Sequence, residues 1–191
     1  MNLPIASATI ALTAGFASAD IFDDSVLGDF SNDRFAPTFL DFSMGTNTVI
    51  NQVMNSNNSN IGDRDYYTFT LEEGEFIDSI TVISSTNLAG GNDSTTFLGL
   101  AFDNIFDFDA DAQQGPGLVG FVLTNSFGIG RDVLPDLSDG LNILGPGNYS
   151  VWSNQTGPDA TRVEVEFNVV PAPATTTLFA TLGLVATRRR R

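Results

Sequence analysis

The residue types that this chain lacks decide which chemistry it can perform. Its 191 residues contain no histidine, cysteine or lysine, but they contain 23 aspartates and glutamates. Nucleophiles of the Ser-His-Asp, Cys-His or lysine kind are therefore excluded, as are zinc, haem and iron–sulfur sites built on histidine or cysteine. The remaining possibilities are glycoside cleavage by paired acids and the binding of metals through oxygen ligands.

A pair of carboxylates is weak support for catalysis unless their surroundings agree. Glu164 and Glu166 alternate with apolar residues throughout the segment 161–170. This period of two is typical of a half-buried β-strand. We therefore interpret the two glutamates as the solvated face of a strand.

The acidic run at residues 103–111 has some features of a calcium-binding EF-hand loop, but it lacks the required residues. If Asp107 takes the first position of the loop, the required glycine is Ala112 and the closing glutamate is Leu118. We expect a solvated acidic loop, with an irregular divalent-cation site as the alternative.

The same period-2 alternation recurs along the chain and predicts seven or eight short strands. Clusters of Gly, Asn, Asp and Pro separate these strands, and no segment between them has a convincing helical pattern. The pattern predicts an all-β fold, an antiparallel β-sandwich of jelly-roll type, and we expect most of the sixteen phenylalanines to fill its core. The predicted strands cover residues 38–42, 46–53, 66–71, 76–83, 95–102, 118–124, 148–153 and 161–170.

Charge is distributed unevenly between the middle of the chain and its ends. All of the acids lie between residues 20 and 170, with only four arginines among them. A phosphate backbone would be repelled, so nucleic-acid binding is excluded. About 150 residues are enough for one domain with a core. Without cysteine no disulfide can staple that domain, so its stability must come from core burial or a bound metal.

The N-terminal residues resemble a secretory leader. Residues 5–16 are mostly small and apolar, and Ala17-Ser18-Ala19 forms an A-x-A cleavage site that makes Asp20 the first mature residue. This arrangement predicts a signal peptide at residues 1–19 and export from the cell. The alternative is that these residues form a first strand or helix of the domain.

The C-terminal residues 171–191 have three parts: a Pro-x-Pro break, an uncharged stretch at 174–187 and a terminal arginine cluster. The break is Pro171, Ala172 and Pro173, and the cluster is Arg188, Arg189, Arg190 and Arg191. This tail resembles the sorting signal of PEP-CTERM proteins, with alanine in place of the acidic middle residue. The resemblance implies a short apolar helix, transient inner-membrane anchoring and cleavage by an exosortase-type enzyme. The alternative is a C-terminal helix packed on the domain.

The length and charge of the tail agree with temporary anchoring. Fourteen helical residues span roughly 21 Å, which is less than the ~30 Å hydrocarbon core of a bilayer. Clustered arginines stay on the side from which a chain is exported. We therefore expect the mature protein in the cell envelope, at the cell surface or in the extracellular matrix of a bacterium.

The domain at residues 20–170 resembles the bacterial pre-peptidase C-terminal (PPC) domain. The likeness rests on the acidic opening at 29–38, the Gly-Asp-x-Asp-x-Tyr segment that begins at Gly62, and the Gly-x-Tyr-x-Val pattern that begins at Gly147. The family fold is a jelly-roll sandwich, and the resemblance implies a calcium site. The implied ligands are Asp29, Asn32, Asp33, Asp63 and Asp65. The alternative is that these residues form turns through Asx hydrogen bonds.

These observations predict a non-catalytic, exported surface or matrix protein that binds polysaccharide or protein. One alternative is a carbohydrate-active enzyme with two carboxylates in a cleft lined by aromatic residues, although Trp152 and three tyrosines offer few sugar platforms. Another is a stand-alone substrate-targeting module that recognises protein. A groove of exposed tyrosines would favour the targeting module, and a cleft with paired acids would favour the enzyme.

Overall fold

Two β-sheets pack face to face in the computed structural model of the chain. The structure describes residues 18–54, 62–90, 95–109, 115–124, 129–155, 157 and 159–172. One sheet has four strands in the order β1 (Ser18–Asp23), β3 (Gly45–Val53), β9 (Thr161–Pro171) and β5 (Glu75–Asn87). The other has five, in the order β2 (Thr38–Phe39), β4 (Arg64–Leu71), β8 (Gly147–Gln155), β6 (Thr96–Ala101) and β7 (Gly120–Leu123). The predicted all-β sandwich is confirmed.

Each of the eight predicted strands corresponds to a strand of the structure. Strand β1 was not predicted: Ser18 and Ala19 were assigned to the leader, and residues 20–23 were placed in the domain without a strand. Two pairings also differ from the purely antiparallel prediction, since β1 pairs with β3 and β2 pairs with β4 in parallel. Parallel neighbours need a long crossover connection. The segment between β1 and β3, which contains β2, provides one.

α-Helical structure in the described residues is limited to two single turns, α1 (Asp24–Leu27) and α2 (Leu134–Leu137). Neither is long and apolar enough to cross a membrane. The predicted C-terminal helix and arginine cluster, together with most of the predicted leader, lie outside the described residues.

The core between the sheets is rich in aromatic residues. The rings of Phe42 and Phe69 stack with centroids 4.4 Å apart, and Phe167 packs against both. Phenylalanine was therefore correctly assigned to the core at these positions. Other phenylalanines are about half exposed and do not fit that expectation: Phe35, Phe39, Phe102 and Phe121.

The interior of the sandwich becomes polar towards one end. On β4 the inward side chains change from Phe69 and Tyr67 to Asp65, and on β8 the residue that pairs with Asp65 is the buried Ser153. On β3 the inward face includes the buried Asn51 between Val49 and Val53. This polar end of the inter-sheet space contains the candidate site.

Candidate metal centre

Three carboxylates from two separate parts of the chain meet at the polar end of the sandwich. Asp65 points inward from β4, and Asp63 precedes that strand. Backbone hydrogen bonds in both directions between Asp63 and Met54, of 2.9 and 3.1 Å, hold Asp63 beside the end of β3. Asp29 comes from the N-terminal side, one residue after Gly28, whose φ of 101° turns the chain at the end of α1. We call Asp29, Asp63 and Asp65 the acid cluster.

The separations within the acid cluster fit a calcium ion. One carboxylate oxygen from each residue lies within 4.8 Å of the others. Calcium–oxygen distances are about 2.3–2.6 Å, so two ligands on opposite sides of the ion are up to about 5 Å apart. The three residues also form a path from solvent to interior, because Asp29 is exposed, Asp63 is half-buried and Asp65 is fully buried.

Burial and mutual repulsion make the charged form of the acid cluster costly. Burial raises the pKa of Asp65 to about 8, and the charge of Asp63 adds to the effect. Burial likewise raises the pKa of Asp63 to about 6, with a further contribution from the charge of Asp29. A cation reverses this balance, since an adjacent positive charge favours the ionised carboxylate.

Unsatisfied oxygens at the cluster also indicate a missing positive partner. Within the part of the chain that the structure describes, Asp63 Oδ1, Asp65 Oδ1 and Asn51 Oδ1 are buried and have no hydrogen-bond partner. A buried acceptor without a partner costs roughly 1–3 kcal/mol. The donor set consists entirely of hard oxygen atoms, the type that calcium prefers. The residues present therefore fit the calcium ion that the PPC resemblance implies.

The structure divides the five predicted ligands into two groups. Asp29, Asp63 and Asp65 converge, whereas Asn32 and Asp33 accept hydrogen bonds from backbone N–H groups. Asn32 Oδ1 accepts from the backbone N–H of Arg64 at 2.7 Å. Asp33 Oδ1 accepts from the backbone N–H of Phe35 at 2.9 Å, which is the turn-forming role considered as the alternative. Asn32 also hydrogen-bonds Asp63 and lowers the pKa of that carboxyl, which positions Asn32 next to the acid cluster.

Sequence reasoning missed two residues of this site, Asp24 and Asn51. Asp24 is almost fully buried in α1, and its Oδ2 accepts from the backbone N–H of Gln52 at 2.5 Å. Burial raises the pKa of Asp24, and the charge of Asp29 adds to the rise. A surface pocket of about 190 Å³ opens beside the acid cluster and is lined by Asp24, Ser25, Asp29, Gln52 and Asp63.

A signal for Asn51 was present in the sequence. The period-2 pattern of β3 puts Asn51 on the same face as Val49 and Val53, both fully buried. A polar residue at an inward position of a strand needs a partner. For Asp24 no comparable signal exists, because its role depends on the pairing of distant strands.

The other predicted carboxylate sites have ordinary structural roles where they are described. Glu164 and Glu166 lie on the outer, half-buried face of β9, as the strand pattern predicted. In the run at 103–111, Asp109 forms an ion pair with Arg34 at 3.4 Å.

The predicted processing sites lie at the margins of the described residues. Ala19 and Asp20 lie in β1, opposite Thr46 and Asn47, and Ser43 Oγ donates to Asp20 Oδ2. Ala17 lies outside the described residues. Pro171 ends β9, and the backbone N–H of Ala172 donates to Gly74 O at 2.7 Å. Pro173 and the four terminal arginines are not described.

Comparison with known proteins finds similarity at the level of structure. No family model and no curated protein matches the chain. Among solved structures, the chain is similar to the pre-peptidase C-terminal domain of a collagenase from Bacillus anthracis. The similarity covers 71% of this chain and 98% of that one, at 15% identity and a TM-score of 0.35.

Proposed function

We propose that this chain is a non-catalytic, exported β-sandwich module that calcium stabilises through Asp29, Asp63 and Asp65. The observation that carries the proposal is the convergence of these three carboxylates. Two of them, Asp63 and Asp65, have a buried Oδ1 with no hydrogen-bond partner among the described residues. The PPC resemblance, built on the motifs that contain Asp29, Asp63 and Asp65, independently implies the same ion.

A cation at the acid cluster would reinforce the link between two segments that hydrogen bonds, such as Tyr66 N–H to Ser31 O at 2.9 Å, already join. Asp29 belongs to the connection that follows α1, whereas Asp63 and Asp65 belong to the start of β4. When bound, calcium supplies positive charge and several coordination positions for oxygen. The carboxylates of this chain would then remain ionised in a buried position without repelling one another. In a protein without disulfides, such a link replaces a covalent staple.

The same geometry argues against glycoside cleavage at this site. Paired catalytic carboxylates stand about 5–9.5 Å apart and must contact the sugar. Here the oxygens lie within 4.8 Å of one another, and Asp65 has no exposed surface. Trp152 is 6% exposed, and Tyr66, Tyr67 and Tyr149 are at most 7% exposed, so none of them offers a sugar platform. Their burial also removes the groove of exposed tyrosines that would favour a substrate-targeting module.

Export, sorting by an exosortase-type enzyme and a role in the envelope or extracellular matrix complete the proposal. They rest on the leader at 1–19 and on the Pro-x-Pro, apolar and arginine parts of the tail. Polysaccharide and protein are the ligand classes that we propose for the exposed surface. Metal binding is independent of these assignments and is tested separately.

Thermal unfolding of the full chain with and without calcium tests the metal site. A cation that binds only the folded state stabilises it by RT ln(1 + [L]/Kd), about 2.7 kcal/mol at a hundredfold excess over Kd. We expect millimolar calcium to raise the melting temperature by several degrees more than sodium chloride of equal ionic strength.

A pair of variants makes this test specific to the acid cluster. Asp63→Asn should abolish the calcium-dependent shift. Glu73→Gln, at an exposed turn position between β4 and β5, removes the same charge and should leave the shift intact. Equal melting curves in calcium and sodium chloride for the unmodified chain would show that the proposed function is wrong.

A further inference from the structure

Asn51 approaches the acid cluster from the sheet opposite to the one that carries Asp65. It lies on β3 of the four-stranded sheet, and its side chain is fully buried in the inter-sheet space. Its Nδ2 donates a hydrogen bond of 2.8 Å to Asp65 Oδ2. The amide of Asn51 is thus in direct contact with the innermost carboxylate of the cluster.

The nitrogen and the oxygen of this amide differ in their hydrogen bonding. The nitrogen is satisfied by Asp65, whereas Oδ1 has no hydrogen-bond partner within the described residues. Leaving a buried amide oxygen unpaired is costly, and most buried acceptors in native proteins are paired. Because both ends of the amide share one carbon, the unpaired oxygen is held near the carboxylate of Asp65, whose Oδ1 is also unpaired.

A second asparagine on the same strand shows what a purely structural role looks like. Asn47 is also fully buried, but all of its polar atoms are used. Its Oδ1 accepts from the backbone N–H of Ser43 at 2.9 Å, and its Nδ2 donates to Ser43 O and Gly45 O. The unpaired oxygen of Asn51 is therefore not a general property of buried asparagines on β3.

We infer that Asn51 is a further calcium ligand, with Oδ1 binding the ion while Nδ2 orients Asp65. This inference rests on the proposed calcium site and extends it across the sandwich. Amide carbonyl oxygens are ordinary calcium ligands and bring no additional negative charge into a buried site. With Asn51 included, the ion contacts both sheets, so calcium clamps β3 to β4.

Isosteric replacement by aspartate distinguishes a ligand from a residue that only positions Asp65. Asn51→Asp places a carboxylate oxygen where Oδ1 stands and removes the N–H donor. If Oδ1 binds the ion, the added charge should strengthen calcium affinity by about tenfold and lower the melting temperature of the metal-free protein. If Asn51 only donates to Asp65, the same variant should weaken calcium binding, and that result would overturn the inference.

Two further variants complete the experiment, which is read by isothermal titration of the full chain with calcium chloride. Asn51→Ala should weaken binding by at least roughly 10–100-fold, because it removes both the ligand Oδ1 and the donor that orients Asp65, and loss of an orienting group alone costs that much. Asn47→Asp, matched in residue type, strand and burial, should leave calcium affinity unchanged. Unchanged affinity in Asn51→Ala, with normal binding by the unmodified protein, would disprove the role of Asn51 and leave the proposed function standing. Absence of binding by the unmodified protein would disprove both.

A measurement on the unmodified protein covers the case in which these variants do not fold. Calcium titration followed by NMR should move the side-chain carbonyl resonance of Asn51 in step with occupancy and leave that of Asn47 in place. An Asn51 resonance that stays fixed while the site saturates would contradict the inference.

Discussion

Calcium binding at the acid cluster should be strongly pH-dependent, because the cluster must lose protons to bind the ion. With pKa values of about 8 for Asp65 and about 6 for Asp63, protons occupy the site at neutral pH. At pH 6, about 1% of Asp65 and about half of Asp63 are ionised. At pH 8, about half of Asp65 and nearly all of Asp63 are ionised. The fully ionised population therefore rises about a hundredfold, and the apparent affinity for calcium should rise by the same factor.

Proton release at pH 7 provides a second readout of the same effect. There Asp65 is about nine-tenths protonated and Asp63 about one-tenth, so each calcium bound should release about one proton. Isothermal titration in two buffers of different ionisation enthalpy measures this number directly. Asp65→Asn should reduce the release to a small fraction of a proton, because Asp65 supplies most of the protons released at pH 7.

A calcium affinity that does not depend on pH would be the contrary result. If the carboxylates titrated near their ordinary value of 3.8, calcium affinity would be constant between pH 6 and pH 8 and no proton would be released. That outcome would refute the claim that burial and mutual repulsion keep the acid cluster partly protonated.

Three further predictions concern stability and processing. Without metal, the raised pKa of Asp65 contributes stability that is fully present below about pH 4 and is lost as the pH rises through about 8. Chelator-treated protein should therefore unfold at a lower urea concentration at pH 8 than at pH 5, and the opposite trend would contradict this. Phe167→Ala should cost about 3–5 kcal/mol in urea unfolding, since the ring is fully buried against other aromatics; a loss under 1 kcal/mol would mean that the ring is not in the core. Intact-mass analysis of protein recovered from cells should show a chain without Arg188–Arg191; a mature protein that still ends in Arg191 would disprove cleavage of the tail.

Local patterns were sufficient to predict the strands, because each alternates over its own length. In β9, Val163, Val165 and Phe167 face the core while Glu164 and Glu166 face outward, as the period of two requires. The parallel pairing of β1 with β3 was not predictable in this way, because it depends on contacts between distant residues. The first residues of β1, Ser18 and Ala19, are small, so they fit a leader cleavage site as well as an edge strand.

The candidate site was predictable only in part for the same physical reason. Asp63 and Asp65 stand in a recognisable motif, but their meeting with Asp29 depends on how α1 packs beside the end of β3. Asp33 lies in the same acidic opening segment as Asp29, yet its carboxylate accepts a hydrogen bond within a local turn. Asn51 could have been noticed as a polar residue on an apolar strand face, whereas its contact with Asp65 across the two sheets required the three-dimensional arrangement.

The central claim is that a cation binds between Asp29, Asp63 and Asp65, and anomalous diffraction tests it most directly. Crystals of the full chain grown with a lanthanide that substitutes for calcium would reveal the position of the ion without any assumption about its ligands. We predict an anomalous peak about 2.3–2.6 Å from carboxylate oxygens of all three residues, the range of calcium–oxygen distances. A saturated crystal with no peak at this position, or with its peak beside the acidic segment at 103–109 instead, would contradict the account.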